Sequence, residues 1–90
     1  MRHLWKFYWD CGRMGSVNGL FVATDEQILQ AIGRQVYFGE ILGKHSEVRG
    51  TLAGVDVKKV DLKPETVEEV AALLGKTWSG YNPLEYLSEE

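Results

Sequence analysis

Residues 4–10, LWKFYWD, alternate strictly: Trp5, Phe7 and Trp9 fall on one side of an extended chain and Leu4, Lys6 and Tyr8 on the other. Period-2 patterning with aromatic residues specifies a β-strand. CGRMGSVNG (11–19), with three glycines and an asparagine, reads as a loop, and GLFVA (19–23) as a second strand. The two strands form an antiparallel hairpin with a loop longer than the minimal two residues. A chain that begins this way must bury an aromatic sheet face.

The next segments supply covers for that face. Thr24 is placed to cap a helix, with Gln27 three residues on as a capping box requires. In DEQILQAI the apolar residues Ile28, Leu29 and Ile32 make a stripe, and Gly33 ends it. QVYFGEIL (35–42) is a third strand in which Gly39 marks a bulge or a close approach. EVRGTL (47–52) is a fourth. VDVKKVDL (55–62) is a fifth, anchored by Val55, Val57 and Leu62. Pro64 opens a second helix, PETVEEVAALL, with Val67, Val70, Ala71 and Leu74 as its apolar stripe and Gly75 as its stop. In GYNPLEYL, Asn82 caps a short terminal turn with Pro83 at its first position and Glu85 at its third. The N-P-x-x-Y pattern in this stretch is read as that turn, with Tyr81 and Tyr86 edging the core.

These elements make one α+β domain over residues 1–90: a largely antiparallel sheet of four or five strands, two helices on one face and a short C-terminal helical turn. The core of so short a chain is small. Three Trp, three Phe and four Tyr are much aromatic surface to cover, so self-association into a homo-oligomer is expected.

Charge narrows the function. The net charge is −3, which disfavours a mainly electrostatic nucleic-acid binder. Residues 1–50 hold six Lys/Arg against five Asp/Glu, and residues 51–90 four against eight, so any basic patch is expected in the first half. Cys11 is the only cysteine. No disulfide forms within the chain, which fits a reducing, cytoplasmic setting. No apolar run approaches the roughly 20 residues of a membrane span, and MRHLWKFYWD lacks a signal-peptide core.

GEILGKHS (39–46) raises the question of a phosphate loop. The spacing from Gly39 to Gly43 is one residue short of that motif, His45 stands where a hydroxyl belongs, and strand-like residues follow. What remains is an anion nest at Gly43 and Lys44, in a loop of the kind that carries ligand contacts. The expected ligand residues are Lys44 for charge, His45 and Ser46 for hydrogen bonds, and Arg49 from the following strand, with Arg13 a further candidate. Following chain direction, residues 43–47 are expected beside the beginnings of both helices, whose partial positive charge favours anions. The same trace places Arg13 at the opposite end, where it joins Lys44 only across subunits.

Other residues attract blander readings. Cys11 and His45 are expected too far apart for thiol catalysis. His3, His45, Glu40 and Glu47 match no metal-ligand spacing, and no metal or other cofactor is expected. Glu68 and Glu69 are adjacent on a helix and therefore diverge. The Trp5-Phe7-Trp9 row is a core face rather than a base-stacking platform.

YWDCGRMGSVNGLFVAT, VYFGEILGKHSEVRGTL and GYNPLEYL together resemble a group of short uncharacterised phage and bacterial proteins. That resemblance implies a compact stand-alone protein and carries over no catalytic residue. The expectation is a non-enzymatic binding protein that captures a small anionic, nucleotide-like ligand or a partner surface. The alternatives are an interaction module that blocks a host protein and a small enzyme using Cys11 or His45.

Overall fold

The computed structural model describes residues 2–43 and 47–88. Its elements run β1 (Arg2–Asp10), β2 (Ser16–Thr24), α1 (Asp25–Ala31), β3 (Gln35–Gly39), β4 (Val48–Thr51), β5 (Val57–Lys59), α2 (Pro64–Leu74) and β6 (Thr77–Gly80). Single 3₁₀ turns occupy Gly12–Met14, Gly54–Asp56 and Pro83–Tyr86.

The β1–β2 hairpin is longer than its local sequence suggests. Pairing continues unbroken from Arg2 opposite Thr24 to Asp10 opposite Ser16, so Ser16–Gly19 belong to the strand and the connection shrinks to residues 11–15. Their weak strand propensity is overridden by the partner strand. The tight connection is held locally. The Asp10 carboxylate accepts the Gly12 N–H at 2.9 Å, and the Cys11 N–H donates to the Gly15 carbonyl at 2.8 Å.

The class is α+β and the sheets are antiparallel, as expected. The strands divide, however, into a four-stranded sheet of order β5-β1-β2-β6 and a separate two-stranded sheet, β3-β4. β6 was not anticipated: TWSG is short and follows a helix stop, and it becomes a strand only by pairing with β2. Gly39 does mark a register shift between β3 and β4.

The expectation of two helices on one face is corrected by the sides of β1 and β2 that they cover. Odd-numbered Trp5, Phe7, Val17, Phe21 and Ala23 pack with Ile28 and Ala31 of α1 and with Val36, Phe38, Val48 and Leu52 of the β3–β4 unit. Even-numbered Leu4 and Val22 pack with Val67 and Ala71 of α2. Alternation along a strand sends successive side chains to opposite faces, so α1 and α2 lie on opposite sides of the main sheet. Each helix is terminated as its sequence dictates. Thr24 and Gln27 form the reciprocal capping box, and Gly75 closes α2 with φ +79°. Several expected core positions are exposed: Leu29 and Leu74 of the helix stripes, and Val55 and Leu62, which lie outside the short β5. Seven-residue α1 has room to bury only one side against the sheet.

The odd face holds an aromatic run. Phe7 meets Trp9 edge-on at 5.2 Å between ring centroids, Trp9 meets Phe38 at 5.6 Å, and Phe38 meets Tyr81 at 5.7 Å and Tyr86 at 4.8 Å. Such pairs add about 0.5–1.5 kcal/mol each beyond area burial. The Trp5 indole N–H donates to the Ala23 carbonyl at 3.0 Å, which satisfies its polar atom inside the core.

The chain reaches this face twice, the second time after β6. Gly19 of β2 pairs with Gly80 of β6, and both give way to backbone. A Cβ at Gly19 would overlap the Tyr81 carbonyl; one at Gly80, where φ is +63°, would overlap the Asn18 carbonyl. This close approach lets residues 81–87 cross to the odd side, where Tyr81, Leu84 and Leu87 pack on the main core. The terminal turn is capped as expected, with the Asn82 side-chain Oδ1 accepting the Leu84 N–H at 3.0 Å.

Candidate functional site

Lys44, His45 and Ser46, three of the five expected ligand residues, lie outside the described residues. The residue that follows them does not sit where the chain trace expected. Glu47 lines a cleft of about 290 Å³ together with Trp9, Asp10 and Cys11 on one wall and residues 48–51 on the other. Asp10 and Cys11 stand at the far end of β1 from Arg2 and His3. The helix beginnings are at that other end, where His3 approaches Asp25 at 3.9 Å and Arg2 pairs with Glu68. The approach to β4 therefore converges with the hairpin connection, not with the helix N-termini. The trace failed because it continued one up-and-down sheet through β3 and β4, which instead leave the main sheet and pack across its odd face.

β4 alternates at the cleft. Val48 is buried, and Gly50 lies against the Trp9 ring, a Cβ there falling 3.5 Å from Cη2. Arg49 and Thr51 are exposed. Arg49 sits opposite Tyr37 in the β3–β4 register and also borders a hollow with Gln35, Val36, Tyr37 and Ser88. Arg13 is exposed two residues beyond Cys11, at the same end of the molecule as the cleft. Among the described residues, neither Arg13 nor Arg49 has a carboxylate within 4.0 Å. Asp10 and Glu47 contribute the opposing charge, and Asp10 is engaged by the Gly12 N–H.

The helix-start end is already neutralised. Lys59 Nζ is 2.8 Å from Asp25 and stands 5.4 Å from the Trp5 ring centroid. Its hydrogen bond, helped by charge from Lys59 and His3, holds the Asp25 carboxyl below its ordinary range. Hydrogen bonding to Arg2 likewise lowers Glu68. Asp25 itself sits in the first turn of α1, so protein carboxylates and their partners occupy the place proposed for an anion.

A second hollow, about 280 Å³, opens on the even face between Lys6, Tyr8, Val55, Asp56 and Lys58. The even-face position of Lys6 and Tyr8 follows from the strand pattern. That Lys58 lies directly opposite Lys6 does not, because it depends on the register of β5 against β1. Among the described residues no three His, Cys, Asp or Glu side chains gather to hold a metal. No helix of the described chain is long and apolar enough to cross a membrane.

Compared with protein-family models, with curated proteins and with solved structures, the chain matches none.

Proposed function

We propose that this is a non-enzymatic binding protein of the cytoplasm that takes a small anionic, nucleotide-like ligand at the cleft between the end of β1 and β4. The convergence of two chain segments carries this reading. Glu47 lines the same cleft as Cys11, at the end of the molecule that also bears Arg13. Arg49 extends that set from β4. Among the described residues Arg13 and Arg49 have no ion-pair partner, which leaves them available to an incoming anion, and Trp9 offers an apolar wall.

A ligand bound only by the native state raises the melting temperature. A panel of cyclic and ADP-ribose nucleotides should contain a member that does so by several degrees, and Arg49→Ala should abolish the shift while leaving the unliganded melting temperature within about 1 °C, as for an ordinary surface change. If no nucleotide shifts the protein, or if Arg49→Ala leaves the shift intact, the reading fails.

One observation favours a second reading, an interaction module that blocks a host protein. Leu73 and Leu74 are 85% and 58% exposed at the end of α2, and Glu69 stands one helical turn before Leu73. Under that reading one partner co-purifies with the native chain and is lost with Leu73→Glu.

A further inference from the structure

Lys58 and Lys59 are neighbours in a three-residue strand and meet opposite surroundings. Lys59 projects to the odd side, where Asp25 and the Trp5 ring receive it. Lys58 projects to the even side, directly across from Lys6. Residues paired this way sit about 4.5–5.5 Å apart at Cβ, and like charges there are destabilising. Among the described residues, neither Lys6 nor Lys58 has an ion-pair partner. Asp56 borders the same hollow, but its Oδ2 accepts the Ala53 N–H at 2.8 Å and holds the turn before β5.

Lysines on a short edge strand discourage other strands from adding to a sheet. That explains Lys58, since β5 is an edge. It does not explain Lys6, because β1 lies between β5 and β2. The rest of the hollow is also unlike an ordinary solvated surface. Tyr8 is 51% exposed and Val55 82% exposed, and both line the hollow with the two lysines, on the part of the even face beyond the Leu4–Val22 cluster.

We propose that this hollow binds a phosphate monoester carrying a planar ring, of mononucleotide size. The phosphate sits between the Lys6 and Lys58 ammonium groups and the ring rests on Tyr8 and Val55. A dianion there turns a repulsive pair into two attractive ones, with lysine acting as a point-charge phosphate binder. Tyrosine faces accept rings of any base. The volume, about 280 Å³, is ample for a bare phosphate and stands at the lower edge of small-molecule sites, roughly 300–1,000 Å³. None of these residues lines the β1–β4 cleft, so the inference stands apart from the function proposed above.

The test is an amide ¹H–¹⁵N titration with adenosine 5′-monophosphate, adenosine, inorganic phosphate and a single-stranded oligothymidine. The monophosphate should move the amides of Lys6, Tyr8 and residues 55–58 and saturate, with adenosine and phosphate each at least tenfold weaker. Lys6→Gln with Lys58→Gln should weaken monophosphate binding at least tenfold without lowering the melting temperature, because it also removes the repulsion. Tyr8→Ala should weaken the monophosphate but not inorganic phosphate. Three results overturn the proposal: no movement at these amides, equal binding by the double glutamine variant, or tighter binding of the oligothymidine than of the monophosphate. A double variant that self-associates but binds the monophosphate as before would assign the lysines to edge protection instead.

Discussion

The two faces of the β5-β1-β2-β6 sheet are made by the same strands and serve different ends. The odd face is sealed by α1, the β3–β4 unit and the terminal turn, and its cluster includes the fully buried Phe7, Phe21, Val36 and Leu52. Fully burying a large apolar side chain contributes about 1.5–3 kcal/mol, so this side supplies most of the fold's hydrophobic stabilisation. Among the described residues the even face is covered by α2, through Leu4, Val22, Val67 and Ala71 with Leu20, Val60 and Trp78 at the margin. Further along β1 it presents Lys6 and Tyr8 to solvent. A small domain whose larger core lies on one side of a sheet can leave part of the other side for binding, and here Lys6 and Tyr8 stand exposed beyond the smaller cluster.

The comparison breaks most completely at Gly19. Adding one methyl there drives it into the Tyr81 backbone, and neither β2 nor the crossing segment can yield without losing the β2–β6 pairing. Gly19→Ala should cost more than about 4 kcal/mol, the range reserved for severe steric or core damage. In urea denaturation the variant should be largely unfolded at 25 °C or have its midpoint far below that of the native chain; an unchanged midpoint would mean that residues 81–87 do not cross where described. Val67→Ala probes the other face. Removing two buried carbons from a small cluster should cost about 2 kcal/mol, read from the same midpoint. A cost equal to that of Gly19→Ala would erase the distinction between the faces.

The smallest expected effect is electrostatic. Asp25 and Glu68 have folded-state pKa values below their ordinary ones because of hydrogen bonds to Lys59 and Arg2. Their contribution is therefore present above the ordinary carboxylate range, near pH 4, and is lost as pH falls toward the folded values. Both pairs are solvent-exposed, where such bonds are screened and weak. Melting curves between pH 7 and pH 3 should show a shallow decline that flattens when Asp25→Asn and Glu68→Gln are combined. A decline of the same slope in that variant would place the acid sensitivity elsewhere.

Much of the local structure was legible. The alternation in LWKFYWD specified both the strand and its two faces; Thr24–Gln27, Gly75 and Asn82 marked turns and helix ends through hydrogen bonds made within two to four residues, and Pro64 marked a helix start through its fixed φ and missing N–H. What escaped was set by distant partners. TWSG becomes β6 only beside β2, and the β3–β4 unit leaves the main sheet because its inward residues, Val36, Phe38 and Val48, pack across Phe7 and Trp9 rather than extending the ladder. The expected anion site suffered for the same reason: placing the approach to β4 at the helix beginnings required a sheet continuous through β3. Arg49 and Arg13 were nominated from charge and loop context, whereas the Lys6–Lys58 pair needed a register that no stretch of sequence contains.

Native-state amide hydrogen exchange tests the unequal-faces account most directly. Local openings span free energies from near zero to that of global unfolding, so each face reports its own stability. The account predicts that the most protected amides of β1 and β2 exchange only through global unfolding, while those of α2 around Val67–Ala71 exchange through a cheaper opening that leaves the hairpin intact. If α2 amides exchange with the same free energy as β1 and β2, or outlast them, the division of labour between the two sides of the sheet is wrong.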